Sequence, residues 1–82
     1  MKEIVVVSMK GCSYCDALKS YLMEHNISYT ELDDSTEQGR SKIEKYEIRS
    51  FPTTFILKDR IIKDVIQGFS VEMNLKDHFE KF

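Results

Sequence analysis

The sequence predicts an α/β domain: a four-stranded mixed sheet with helices on both faces, in the order β-α-β-α-β-β-α. Three observations predict it. Ile4-Val5-Val6-Val7 is β-branched and unbroken, the pattern of a central strand covered on both faces. Strand-like and helix-like patterns then alternate along the rest of the chain. Finally, 82 residues leave no spare core to divide, because a chain this short buries only about 60 to 65% of its unfolded surface. Residues 1–82 are therefore read as one domain.

The elements follow in order. Residues 3 to 8 form the buried first strand. After Met9-Lys10-Gly11, apolar or small side chains recur at Cys15, Leu18, Leu22 and His25, which is helical spacing and predicts a helix from Ser13 to His25. Asn26 is a stop, and Ile27 to Leu32 alternates like a strand with two unlike faces. Ser35 with Gln38 resembles a capping box ahead of a helix running through Ile43 to about Tyr46, with Gly39 weakening it. Pro52, the only proline, precedes the strand Thr53 to Leu57. Lys58-Asp59-Arg60 separates that strand from Ile61 to Ile66, close enough for an antiparallel hairpin, although no glycine marks the turn. Gly68 breaks the pattern, and Ser70 is expected to cap a last helix carrying Val71, Leu75, His78 and Phe79.

Composition excludes several function classes. Hydrophobic residues make up 41% and charged residues 32%, too apolar for a disordered chain. Twelve Lys and Arg against 14 Asp and Glu give a net charge of −2, so no overall positive field exists to collect phosphates and no nucleic-acid partner is expected. The run Ile4 to Val7 is shorter than the roughly 7 to 15 apolar residues of a signal peptide and the roughly 20 of a membrane span. A cytoplasmic chain with no membrane partner is expected.

The chemistry concentrates at Cys12 and Cys15, the only cysteines. Cys12 falls at the amino end of the first predicted helix, where unpaired N–H groups and the helix dipole favour a thiolate. Cysteines in such positions have pKa values lowered from about 8.5 to roughly 3.5 to 7.5, and the thiolate is the attacking form. Lys10 adds to that bias. Cys15 lies almost a turn further in, on the apolar stripe, near enough to attack a mixed disulfide formed at Cys12. Two other readings of the pair compete with redox exchange. Zinc needs two more ligands, and His25 and His78 lack ligand-like spacing. Inert cysteines suit the middle of an element better than a Gly-flanked loop.

Cys12-Ser13-Tyr14-Cys15, Phe51-Pro52-Thr53 and Gly68-Phe69-Ser70 together resemble the three landmarks of the glutaredoxins, and the match extends over almost the whole chain. The resemblance implies a thioredoxin-like fold with a cis Phe51-Pro52 bond. It also implies a glutathione-dependent thiol-disulfide oxidoreductase in which Cys12 is the nucleophile and Cys15 resolves. Glutathione is then a co-substrate and no cofactor or metal is bound. By position, the Phe51 backbone next to Pro52 would pair with the cysteinyl unit of glutathione and Tyr14 would flank the sulfur. Phe69 and Ser70 would receive the γ-glutamyl end at a helix start, which suits a carboxylate, and Lys10 or Arg49 would meet the glycine carboxylate. The blander alternatives are core packing for Phe51 and Phe69, a plain cap for Ser70, and solvated charges for Lys10 and Arg49. Ser13 stands where glutaredoxins most often have proline, and Gln67-Gly68 replaces a Gly-Gly pair.

Expected partners are glutathione and disulfide-containing or glutathionylated proteins, met by a monomer. The competing expectation is a glutaredoxin-like redoxin reduced by thioredoxin reductase and serving ribonucleotide reductase, which the stretch Gly68 to Met73 resembles. A module holding an iron–sulfur cluster between two chains is a third, disfavoured by Cys15 and Tyr14.

Overall fold

The computed structural model describes residues 1–70 and 72–82. Its elements are β1 (Lys2–Val7), α1 (Ser13–Glu24), β2 (Thr30–Leu32), α2 (Glu37–Lys45), β3 (Thr53–Lys58), β4 (Ile61–Gln67) and α3 (Leu75–Glu80). The strands form one sheet in the order β2-β1-β3-β4. β1 and β2 are parallel and joined through α1, whereas β1–β3 and β3–β4 are antiparallel. The predicted element order and mixed sheet are both present.

β1 is apolar on both sides because both sides are covered. Ile4 and Val6 pack with Leu18 and Leu22 of α1 and with Leu75 and Phe79 of α3. Val5 and Val7 face the opposite way and pack with Phe55, Ile43 and Ile48 on the α2 side. Leu18 and Leu22 are wholly buried, and truncating such a leucine to alanine costs about 2 to 5 kcal/mol.

Both long helices end in the same way. After α1, Asn26 adopts φ 56° and its N–H donates to the Met23 carbonyl, while Ile27 N–H donates to Leu22. After α2, Glu47 adopts φ 51°, its N–H donates to Glu44, and Ile48 N–H donates to Ile43. These are Schellman endings with an apolar residue closing each. The first confirms Asn26 as the stop. It also explains why β2 starts at Thr30 rather than at Ile27, since Ile27 is engaged by the helix end and packs with Tyr29 against the α1 side.

Three further expectations are corrected. Thr36, not Ser35, caps α2: its Oγ1 accepts from the Gly39 N–H at 3.0 Å, while the Ser35 hydroxyl donates to the Asp33 carboxylate. Gly39 does not weaken α2 but permits it, because a Cβ there would collide with the Asp33 carbonyl. Ser70 does not cap the last helix, which begins at Leu75 behind Asn74, whose side chain donates to the Asp77 carboxylate at 2.8 Å and accepts from no helix amide. Ser70 instead closes a turn, its Oγ accepting from Glu72 N–H at 3.2 Å and its carbonyl from Met73 N–H at 3.0 Å. Leu75 and Phe79 are buried as expected, and Val71 lies outside the described residues.

The β3–β4 turn needs no glycine, since Asp59 and Arg60 both take positive φ, 53° and 68°, which matches the twist of a two-residue hairpin. No helix among the described residues is long and apolar enough to cross a membrane.

Candidate active site

Register alone gathers the three sequence landmarks at one end of the sheet. Val7 pairs with Thr53, and Thr53 pairs with Gln67, so the loop after β1, the turn before β3 and the end of β4 are neighbours. The Phe51-Pro52 bond is cis. Thr53 Oγ1 donates to the Ser50 carbonyl at 2.6 Å, and Gly68 N–H donates to the Pro52 carbonyl at 2.7 Å, so Pro52 is held from both sides in sequence.

The loop after β1 turns at Gly11, whose φ of 77° is open to glycine at little cost, and Cys12 N–H closes the turn on the Met9 carbonyl. Cys12 is the N-cap of α1. Its backbone is extended, its carbonyl accepts from Asp16 N–H at 3.2 Å, and its Sγ accepts from Cys15 N–H at 3.1 Å. The sulfur therefore stands where a capping oxygen of Ser or Asp would, facing an N–H that the helix leaves free. A thiolate gains most from that position, because helix amides and the dipole both favour negative charge.

Cys12 and Cys15 are joined in a disulfide with Cα atoms 5.2 Å apart, well within the usual range. Cys12 is half-buried, whereas Cys15 is 1% exposed. One sulfur is reachable and its partner is covered, as the helical stripe predicts. Among the described residues, no group of three or more His, Cys, Asp and Glu is arranged to hold a metal ion.

The other predicted site residues fare differently. Tyr14 is 63% exposed beside the cysteines. Lys10 and Arg49 are exposed on the loops leading to Cys12 and Pro52. Phe51 is half-buried and packs on the α2 side. Phe69 is a core residue at 8% exposure, its ring 5.9 Å from that of Tyr21, so its side chain is given to packing. Ser70 is near the site but at no helix start.

Sequence reasoning missed a polar cluster next to the cysteine loop. The buried Ser8 hydroxyl donates to Glu31 Oε2 at 2.8 Å, and Lys19 Nζ reaches the same oxygen at 2.8 Å and Asp16 at 3.5 Å. The Lys19 ammonium and then the Ser8 hydroxyl hold the Glu31 carboxyl below its ordinary value, and the bond to Glu31 raises the Lys19 ammonium. No local pattern joins these residues, since β1, β2 and α1 meet only in the fold.

A helix-capping cysteine joined to a covered one, next to a cis-proline turn, defines a redox-active disulfide protein of thioredoxin-like fold. The glutaredoxin family profile matches residues 4–62, and the chain belongs to that family. A Bacillus subtilis relative, N-acetyl-S-hydroxy-L-cysteine reductase, is 40% identical over 56 residues, covering 66% of this chain and 60% of that protein. The chain thus spans about three fifths of that relative's length. Among solved structures, the oxidized thioredoxin O2 of Arabidopsis thaliana aligns with TM-score 0.79 at 18% identity, covering 100% of this chain and 75% of that one. The thioredoxin-like protein BC3987 aligns with TM-score 0.69 at 27% identity, covering 92% and 97%.

Proposed function

We propose that this chain is a thiol-disulfide oxidoreductase that reduces protein disulfides and glutathione mixed disulfides, with glutathione as electron donor. The observation that carries the proposal is the hydrogen bond from Cys15 N–H to Cys12 Sγ at a helix start, with Cys12 reachable and Cys15 covered. Cys12 thiolate attacks the substrate disulfide, one substrate sulfur leaves as a thiolate, and a mixed disulfide remains. Either Cys15 or a second glutathione then attacks Cys12 and releases the second sulfur. Tyr14, the Phe51 backbone beside Pro52, and the Phe69–Ser70 backbone would border the bound tripeptide, with Lys10 or Arg49 meeting its glycine carboxylate. The protein would act as a cytoplasmic monomer, leaving Cys12 accessible to disulfide-bearing proteins.

A second reading has a specific observation in its favour. Ser70 sits in a turn ahead of α3 rather than at a helix start, so the γ-glutamyl carboxylate would meet no helix terminus there. The dithiol alone suffices for a donor such as thioredoxin reductase, with ribonucleotide reductase as an acceptor. The name of the Bacillus relative adds a third class of oxidised sulfur, an S-hydroxylated cysteine derivative.

The deciding experiment assays one small mixed disulfide with glutathione and with thioredoxin reductase in parallel. Turnover with glutathione is expected. Turnover with the reductase alone selects the second reading, and no turnover with either removes both.

A further inference from the structure

The first amides of α3 have no partner within the helix, and the Asn74 side chain accepts from none of them. One is answered from another element. Lys76 N–H donates to the Tyr21 hydroxyl of α1 at 3.0 Å, across 55 positions of chain. The other described hydrogen bonds between Ser70 and Asn74 are local: Glu72 N–H and Met73 N–H turn back to Ser70, and His78 N–H turns back to Asn74. Among the described residues, the Tyr21 hydroxyl is thus the polar tie from this stretch to the body of the fold.

The same side chain grips Phe69. The Tyr21 ring lies 5.9 Å from the Phe69 ring, which sits in the cluster that also holds Leu75 and Phe79. On the other side of Phe69, Gly68 N–H is bound to the Pro52 carbonyl. Phe69 and Ser70 therefore lie between two anchors, the Pro52 turn and Tyr21. Tyr21 is half-buried and belongs to the helix that Cys12 caps, about two and a half turns further along. One rigid element carries the reachable sulfur at its start and the tie to the Phe69–Ser70 backbone near its end.

We propose that Tyr21 is a positioning residue for glutathione. Its ring holds Phe69 and its hydroxyl holds the start of α3, which keeps the Phe69–Ser70 backbone in a fixed place relative to Cys12. The inference rests on the glutathione reading above, in which that backbone borders the γ-glutamyl end. Tyr21 acts through Phe69 and Lys76 rather than on the tripeptide. Without the hydroxyl, the arrangement competent to bind is less populated, and apparent affinity falls by that fraction. Chemistry at sulfur is left alone, because the Cys15 amide that faces Cys12 Sγ is at the other end of α1.

Single turnovers of the pre-reduced protein test this. Two peptides carry the same cysteine as a mixed disulfide, one with glutathione and one with cysteamine, which lacks the γ-glutamyl group. The parent should saturate at lower concentrations of the glutathionylated peptide. Tyr21→Phe, which keeps the ring, should raise that half-saturating concentration about threefold to tenfold, the effect of one hydrogen bond. The limiting rate and the cysteamine reaction should be unchanged. Hydrogen exchange should show the Lys76 amide losing protection in the same variant. Unchanged half-saturation or unchanged protection overturns the proposal. So does a fall in limiting rate shared by both peptides, which would leave Tyr21 a purely structural part. Failure of the glutathione reading looks different: the parent itself would treat the two peptides alike, and the proposal would fall with it.

Discussion

Gly68 N–H donates to the Pro52 carbonyl at 2.7 Å, tying the end of β4 to the turn that precedes β3. Gly68 makes this bond from φ 78°, with no heavy atom within 4 Å of where a Cβ would stand. Its cost to any other residue is therefore conformational rather than steric. Gly68→Ala should lose about 1 to 2 kcal/mol, the penalty of a left-handed backbone on an L-residue. Denaturant midpoints at constant slope measure it. An unchanged midpoint would mean that this conformation is not needed to hold Pro52.

Gly39 gives the opposite lesson at ordinary φ. In a solvated helix, alanine is better than glycine by about 0.8 to 1 kcal/mol. Here a Cβ meets the Asp33 carbonyl, which belongs to the backbone leading into the α2 cap. Gly39→Ala should therefore destabilise by about 1 to 3 kcal/mol, as overpacked sites do. Thermal unfolding reads the sign directly, and a raised midpoint would refute the close approach.

These two glycines show where the sequence was legible. β1 was readable because its apolar run is unbroken and α1 because its apolar residues follow one helical period, and both are buried as those patterns require. The reachable cysteine and its covered partner were readable for the same reason, since Cys15 continues the Leu18–Leu22 stripe. Three things were not readable. Ser35 and Thr36 are both competent caps, and the choice depends on Asp33, which engages Ser35. Ser70 has cap chemistry but spends its hydroxyl on the local amide of Glu72. The Ser8–Glu31–Lys19 cluster acquires meaning only when separate elements meet.

Glu47 holds a left-handed conformation at the end of α2, a position that glycine fills most cheaply. Glu47→Gly should stabilise the protein by about 0.5 to 1 kcal/mol, the left-handed penalty less the extra entropy of an unfolded glycine. Chemical denaturation checks it. A loss of stability would show that the Glu47 side chain contributes more than its backbone strain costs.

The Lys19–Glu31 pair makes stability depend on pH at both extremes. Glu31 is depressed in the folded protein, so its contribution is present above the ordinary value of 4.5 and is lost as pH falls through the folded value. Lys19 is raised, so its contribution is full below 10.5 and is lost as pH rises through its folded value. Both side chains retain substantial exposure, 27% and 35%, so the pair is worth no more than about 0.5 to 1 kcal/mol. Glu31→Gln should flatten the acid limb of the stability curve below pH 4.5. Coincident curves for variant and parent would leave the pair without energetic weight.

The two sulfurs should fail differently when removed. Cys12 is the reachable one and holds the helix-capping position, so Cys12→Ser should abolish every exchange reaction. Cys15 is covered and in the proposed reaction serves only after Cys12 has formed a mixed disulfide. Cys15→Ser should therefore spare reduction of a glutathionylated substrate, where a second thiol from solution clears Cys12. It should slow reduction of a protein disulfide, whose bulk keeps outside thiols away from the mixed bond. Paired assays of each variant on one substrate of each kind separate these cases. Equal losses in both variants would mean that attack and resolution are not divided between the two sulfurs.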